Sequence, residues 1–281
     1  MTRNVWHWTT LILLLLVATW LRVYRLVELP PGLHYDEAAN GILASEIAFE
    51  GFRPIFITSY TGKEVLYFYL AGSLMRLIGD SVFALRLASA FTGLLTISAS
   101  YWLATETARA LAPQAKIPYL RLAGLMTAIL LATHFPHLIF SRLGFRAITQ
   151  PLLQALTVAT LLYALRKSSY RAFALSGLWL GLAAYSYLAV RLFPIVIFLI
   201  ALPLLRRHWR GLLLALGTAT LTLLPFANFL IRNPETFWVR ISQVSDQQPI
   251  MADYTSSFVQ SFSILLGLAG DPYWRFNNPD Q

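Results

Sequence analysis

The sequence predicts an all-α integral membrane protein, with about seven transmembrane helices and two juxtamembrane helices in its first external loop. Three observations predict it. Of 281 residues, 57% are hydrophobic and only 12% charged, with mean hydropathy +0.59, which is too apolar for a surface that faces water. Charge-free runs recur near the length, roughly 20 residues, that crosses a hydrocarbon core of about 30 Å as a helix. The loops between those runs fall into two sets, one basic and one holding most of the acids, as the positive-inside rule requires. The net charge of +9 sits in these short loops and forms no stripe on a soluble face, so no nucleic-acid partner is expected. With no cysteine in the chain, disulfides and thiolate metal sites are excluded.

Taken in order, the first run is Asn4 to Leu21. It follows Arg3, lacks a small-x-small cleavage pattern and continues into "TWLRVYRLVELPP", so it reads as a retained signal anchor. The next six are Leu87 to Thr105, Leu122 to Ser141, Ala147 to Leu165, Ala172 to Val190, the shorter Leu192 to Leu205, and Gly211 to Ile231. An eighth run, "VLYFYLAGSLM" at 65–75, has about half the required length. Treating it as non-spanning puts Arg3, then Arg109, Lys116 and Arg121, then "RKSSYR" and "RRHWR" on one side. That side is cytoplasmic. The N-terminus is then inside a plasma (inner) membrane, and residues 25–82 are external, on the periplasmic or extracellular face.

This external loop is too long for a simple connector. In it "DEAANGILASEIAFEG" opens with acids suited to a helix N-terminus and ends at Gly51, with Ile42, Leu43, Ile47 and Phe49 as an apolar face. The 65–75 run, rich in aromatics at Tyr67, Phe68 and Tyr69, is the second juxtamembrane helix. Residues 1–231 form the transmembrane module. Residues 232–281 are an external segment with an interfacial helix at 258–270, expected to continue into a further C-terminal region.

Asp36 and Glu37 stand out because charge is scarce here. A carboxylate at a low-dielectric boundary becomes a better proton acceptor, which suits a general base; adjacent acids before a helix also serve as N-terminal charges. Lys63, at the head of the second juxtamembrane helix, is placed to meet a lipid phosphate or simply to snorkel. Arg142 and Arg146 in "SRLGFRA" lie one turn apart on the side where cations are depleted, and two such guanidiniums can clamp a phosphate. Arg191, after Tyr185 and Tyr187, shares that side. Together these residues describe a site for an anionic lipid head group. His34, with Glu37 or Glu64, is the candidate for a divalent metal, although no H-x-x-x-H pattern supports it. His134 and His137 form an interfacial pair read as structural. There is no phosphate-cradling glycine loop and no G-x-S-x-G.

The order "YDEAANG", then "GKEVLYFYLAGSLMRLIGDSVFALRLASAFTGLLTI", then "SRLGFRA", then "AAYSYLAVRLFP" and "GDPYWRFNNP" resembles the GT-C superfamily of polyprenyl-phosphate-sugar-dependent glycosyltransferases. Nearest in pattern are the bacterial relatives of protein O-mannosyltransferases and of the lipid A aminoarabinose transferase. The resemblance implies a seven-span module with two juxtamembrane helices. It also implies a reaction, in which a sugar passes with inversion from a polyprenyl-phosphate donor to an acceptor hydroxyl of a protein, glycolipid or glycan at the external face. By position it puts the catalytic aspartate on Asp36 with Glu37 beside it, and the phosphate-contacting lysine on Lys63. Arg142, Arg146 and Arg191 are supporting cations, and His34, Tyr35, Glu64 and Tyr67 are further support. Where many relatives carry two prolines after the lysine, this chain has Glu64 and Val65; where several carry an aspartate, it has Ala147. The competing classes are a transporter or flippase, whose charges would sit near mid-membrane, and a catalytically inactive scaffold.

Overall fold

Backbone in hydrocarbon must satisfy its own N–H and C=O groups, so the charge-free runs fold as helices. The computed structural model of the chain describes residues 2–59 and 62–235. In chain order the helices are α1 (Thr2–Val23), α2 (Tyr35–Phe49), α3 (Leu66–Ile78), α4 (Val82–Leu111), α5 (Ile117–Thr133), α6 (Phe135–Phe140), α7 (Thr149–Lys167), α8 (Tyr170–Ala183), α9 (Phe193–Ala201) and α10 (Leu205–Arg232). A two-residue antiparallel pair, β1 (Phe56–Ile57) with β2 (Lys63–Glu64), precedes α3. The expected external segment, with its helix at 258–270, lies outside the described residues from 236 on.

All seven expected runs fall on helices, but among the described residues four have the length and hydropathy to cross a membrane: α1, α4, α7 with the 3-10 turn before it, and α10. Four of the seven expected runs thus have the length of a full span, and the helices on the other three are shorter. The shortfall has local causes. The run to Ser141 breaks after the 17 residues of α5, where His134 is extended and Pro136, with no N–H to donate, restarts the chain as α6. The run from Ala172 stops after the 14 residues of α8. α9, begun by Pro194, has 9 residues between two 3-10 turns.

The two helices expected in the first loop are present, as α2 and α3. The buried face of α2 is Glu37, Asn40, Leu43, Ala44, Ile47 and Ala48, while Ile42 and Phe49 are exposed. Of the apolar face expected from Ile42, Leu43, Ile47 and Phe49, Leu43 and Ile47 do turn inward, while Ile42 and Phe49 are corrected to the outside and Glu37, Asn40, Ala44 and Ala48 complete the buried face. With Val65, Tyr67, Phe68, Ala71 and Met75, and with Ala84, Leu85 and Ala88 of α4, the inward apolar residues form one core beneath the first loop.

Small residues also set the closest helix pair. A Cβ built on Gly177 of α8 would stand 2.0 Å from the Ala215 carbonyl oxygen of α10, and one on Gly181 would stand 2.6 Å from Cβ of Thr222. Thr218 of α10 donates its hydroxyl to the Ala174 carbonyl at 3.0 Å. Close backbone approach is the main source of helix affinity where lipid is as apolar as leucine. Gly177→Leu should force the pair apart at a cost of about 1–3 kcal/mol or more, read as a lower melting temperature in detergent. An unchanged melting curve would show that α8 and α10 do not depend on this contact.

Candidate active site

Glu37, in the first turn of α2, and Arg86, in the second turn of α4, are both 0% exposed and paired. Arg86 Nε donates to Oε1 at 2.8 Å and a terminal nitrogen to Oε2 at 3.0 Å, the bidentate geometry that a planar guanidinium favours. The same guanidinium also donates to the carbonyls of Leu26, Val27, Pro30 and Gly32. The remaining reach of Glu37 goes to the Gly144 N–H, which donates to Oε1 at 2.7 Å. A side chain at 144 would collide with Leu85 and press on Cγ of Glu37, so glycine is required by the closeness of these chains.

Two further buried arginines hold the end of α1 and the residues that follow it. Arg142 donates to the carbonyls of Leu21, Tyr24, Arg25 and Leu29. Arg22 donates to Ala18 and Ala132 carbonyls and meets His137 Nδ1 at 3.0 Å. The expected phosphate clamp of Arg142 with Arg146 is not what the geometry gives, because the Arg142 donors are spent on backbone oxygens. Desolvation, and then the neighbouring Arg86, lower the Arg142 pKa from its usual value. The expected structural part for His137 agrees with its burial against Arg22.

Asn40, one turn beyond Asp36 on α2, links the other pieces. Its amide donates to the Gly144 carbonyl at 2.8 Å, and its Oδ1 accepts from Lys63 Nζ at 2.9 Å. Positions four apart on a helix have Cβ atoms about 5–6 Å apart, so the buried Lys63 ammonium is held one turn from Asp36. Asp36 itself is half-buried, and its backbone N–H donates to His34 Nδ1. Among the described residues its carboxylate makes no hydrogen bond or ion pair. The two adjacent acids therefore differ: one is locked in a buried clamp, the other stands uncommitted beside it.

On the far side of Lys63, Glu64 lies 3.7 Å from Arg146, whose guanidinium is 5.4 Å from the Tyr187 ring centroid. The cations Lys63, Arg86, Arg142 and Arg146 outnumber the carboxylates Asp36, Glu37 and Glu64, which leaves this cluster net positive. His34 caps α2 and stacks between Tyr35 and Phe145, with ring centroids 4.3 and 5.5 Å away. Tyr35 is exposed at the surface. Tyr67 is fully buried, with its hydroxyl on the Leu85 carbonyl and on Ser89, and burial pushes its phenol pKa up. Among the described residues no three His, Asp or Glu side chains gather around a metal-sized point, so the His34 grouping with Glu37 or Glu64 is not assembled. The side chain of Arg191 lies outside the described residues.

Sequence reasoning missed Arg86, Arg22 and Asn40. For Arg86 the available signal was an arginine at the edge of an apolar run with no adjacent basic residue, which in a membrane helix marks a buried partner.

An apolar groove of about 760 Å³ runs between α3, α4, α7 and α8. Ala88, Thr92, Leu95, Ala99 and Trp102 supply one face of α4 along its length, opposite Leu152 and Leu156. The groove reaches Leu66, three residues past Lys63, and Thr149, three past Arg146.

Residues 66–276 match the model of glycosyltransferase family 87. The chain belongs to that family. No curated protein and no solved structure matches it. This family 87 chain is a membrane glycosyltransferase, acting between a sugar donor and an acceptor. The matched region includes Arg86, Arg142, Arg146 and the groove, and begins just past Asp36, Asn40 and Lys63.

Proposed function

We propose that this family 87 glycosyltransferase takes its sugar from a polyprenyl-phosphate carrier and passes it, with inversion, to an acceptor hydroxyl at the external membrane face. Asp36 is the general base. It accepts the hydroxyl proton as the acceptor oxygen bonds to C1, while the bond from C1 to the phosphate oxygen breaks and its electron pair leaves with the lipid phosphate. Lys63 is the main phosphate contact, and Arg146, stacked on Tyr187, is the second; a low-dielectric setting strengthens both as charge builds on the leaving group. Glu37 and Arg142 act by positioning, through Arg86 and the loop that leads into Asp36. Arg191 remains a supporting cation of this proposal, and a GT-C architecture of the mannosyltransferase type is the kinship proposed for the family.

The observation that carries the reading is the uncommitted Asp36 carboxylate one turn from a buried lysine. The groove supports the lipid part of the donor, since an apolar channel reaching a cationic cluster suits an amphiphile with a long tail and an anionic head. The test uses membranes or detergent-purified protein with labelled polyprenyl-phosphate sugars and identifies the labelled product. Lys63→Ala should weaken donor binding roughly tenfold or more, the scale of one hydrogen bond to a charged group, with acceptor affinity unchanged. Unaltered donor affinity would remove Lys63 from the site, and label supplied only by a soluble nucleotide sugar would refute the lipid donor.

A further inference from the structure

A second polar site lies at the end of the bundle remote from Asp36. α7 leaves the Arg146 turn and runs 19 residues to Lys167, about 28 Å at 1.5 Å per residue. α8 returns toward Tyr185, whose hydroxyl accepts from the Phe226 N–H of α10 at 3.2 Å. α10 packs against α8 along this length, so its beginning meets the start of α8: Gly211 sits directly on the Phe173 ring. There Ser168, Tyr170, Arg207, His208, Trp209 and Arg210 line a cavity of about 370 Å³.

Local backbone shapes this cavity. Ser168 ends α7 in the left-handed region with φ 49°, which turns the chain sharply into Ser169, the cap of α8. His208 leaves helical geometry at φ −123° and ψ 21°, which bends the first turn of α10, with Arg207, out of line with the rest. Arg210 lies 5.2 Å over the Trp209 ring, a stacking that keeps the in-plane N–H groups available to an acceptor.

Among the described residues the charge here has no acidic partner. Between Asp80 and Glu235 the sequence holds a single acid, Glu106, and it is already held by Arg166 at 2.8 Å and Arg109 at 3.2 Å. Among the described residues neither Arg207 nor Arg210 makes an ion pair. Two guanidiniums, two hydroxyls and a cavity call for a phosphate. What favours a lipid over a free anion is the surface that follows: Trp209, Leu213 and Leu216, at helical spacing, are each more than half exposed and continue away from the cavity along α10. An indole at the head of an apolar stripe is also the arrangement of a membrane–water boundary.

We propose that this pocket binds the phosphate headgroup of an anionic phospholipid, whose acyl chains lie along the Trp209–Leu213–Leu216 face. The site is separate from the transfer chemistry and does not rest on it. Basic pockets of this kind at helix ends are the usual receptors for anionic headgroups.

The full chain is purified in detergent and offered phosphatidylglycerol or phosphatidylcholine, with retained lipid read by native mass spectrometry. Wild type should retain phosphatidylglycerol preferentially. The double variant Arg207→Gln with Arg210→Gln should lose that retention on the order of tenfold, while Lys116→Gln, which removes an exposed charge elsewhere, keeps it. Arg207→Gln alone, at an exposed position, carries the test if the double variant fails to fold. Equal retention of both lipids, or equal loss in Lys116→Gln, would overturn the proposal. Displacement of phosphatidylglycerol by millimolar inorganic phosphate would overturn the lipid assignment in favour of a free anion.

Discussion

Asp36→Asn should reduce transfer by about 10²- to 10⁴-fold, the range expected for removing a general base, while the protein inserts and melts as wild type does. The second half of that expectation follows from the geometry. The Asp36 carboxylate has no hydrogen bond or ion pair among the described residues, and asparagine is nearly isosteric, so nothing in the fold loses a partner. What remains is the attraction of a charge to the positive end of α2, about 0.3–1 kcal/mol. A single-turnover assay with labelled lipid-linked sugar, beside a detergent melting curve, reads both parts. Full activity in the variant would end the general-base role. Lost activity together with lost folding would instead assign Asp36 to the scaffold, a result that the Lys63→Ala binding measurement can be compared with directly.

The sequence made the helices legible and left their partners hidden, for a reason particular to membranes. In water, burial selects apolar residues, so a hydrophobic face marks the interior. In lipid that rule loses force, and small or polar residues turn inward. α4 shows the reversal: Ala84, Ala88, Ser89, Thr92, Gly93 and Thr96 are buried, while Phe91 and Leu95 face outward. The same reversal left Leu43 and Ile47 of α2 inward as expected but put Glu37, Asn40 and Ala44 there in place of Ile42 and Phe49. Pro136 was visible, yet its effect depends on a helix that stops before it, and so the run to Ser141 read as one span. Arg142 read as a phosphate ligand from its side of the membrane alone. Its real acceptors are backbone carbonyls more than 100 residues away, and a carbonyl has no sequence signature. Asp36 and Glu37, adjacent and chemically alike, could be separated only once Arg86 was seen to occupy one of them.

That separation gives the largest stability effect. Arg86→Met should cost about 3–5 kcal/mol, the penalty for leaving a buried charge without its partner, against a whole folding margin of about 5–15 kcal/mol. Glu37 would keep only the Gly144 N–H, and four carbonyls from Leu26 to Gly32 would lose their donor. A steep fall in melting temperature and loss of transfer are both expected, since the loop those carbonyls belong to leads straight into Asp36. Combining Arg86→Met with Glu37→Leu removes both charges. Because an apolar pair often replaces a buried ion pair at little cost, the double variant should melt closer to wild type than Arg86→Met does, and the double-mutant cycle should report strong coupling. Transfer should stay low even so, because the loop before Asp36 has still lost its guanidinium anchor. A double variant that regains stability and activity together would show that Arg86 only neutralises Glu37; one that regains stability alone would mark Arg86 as the residue that positions the catalytic turn.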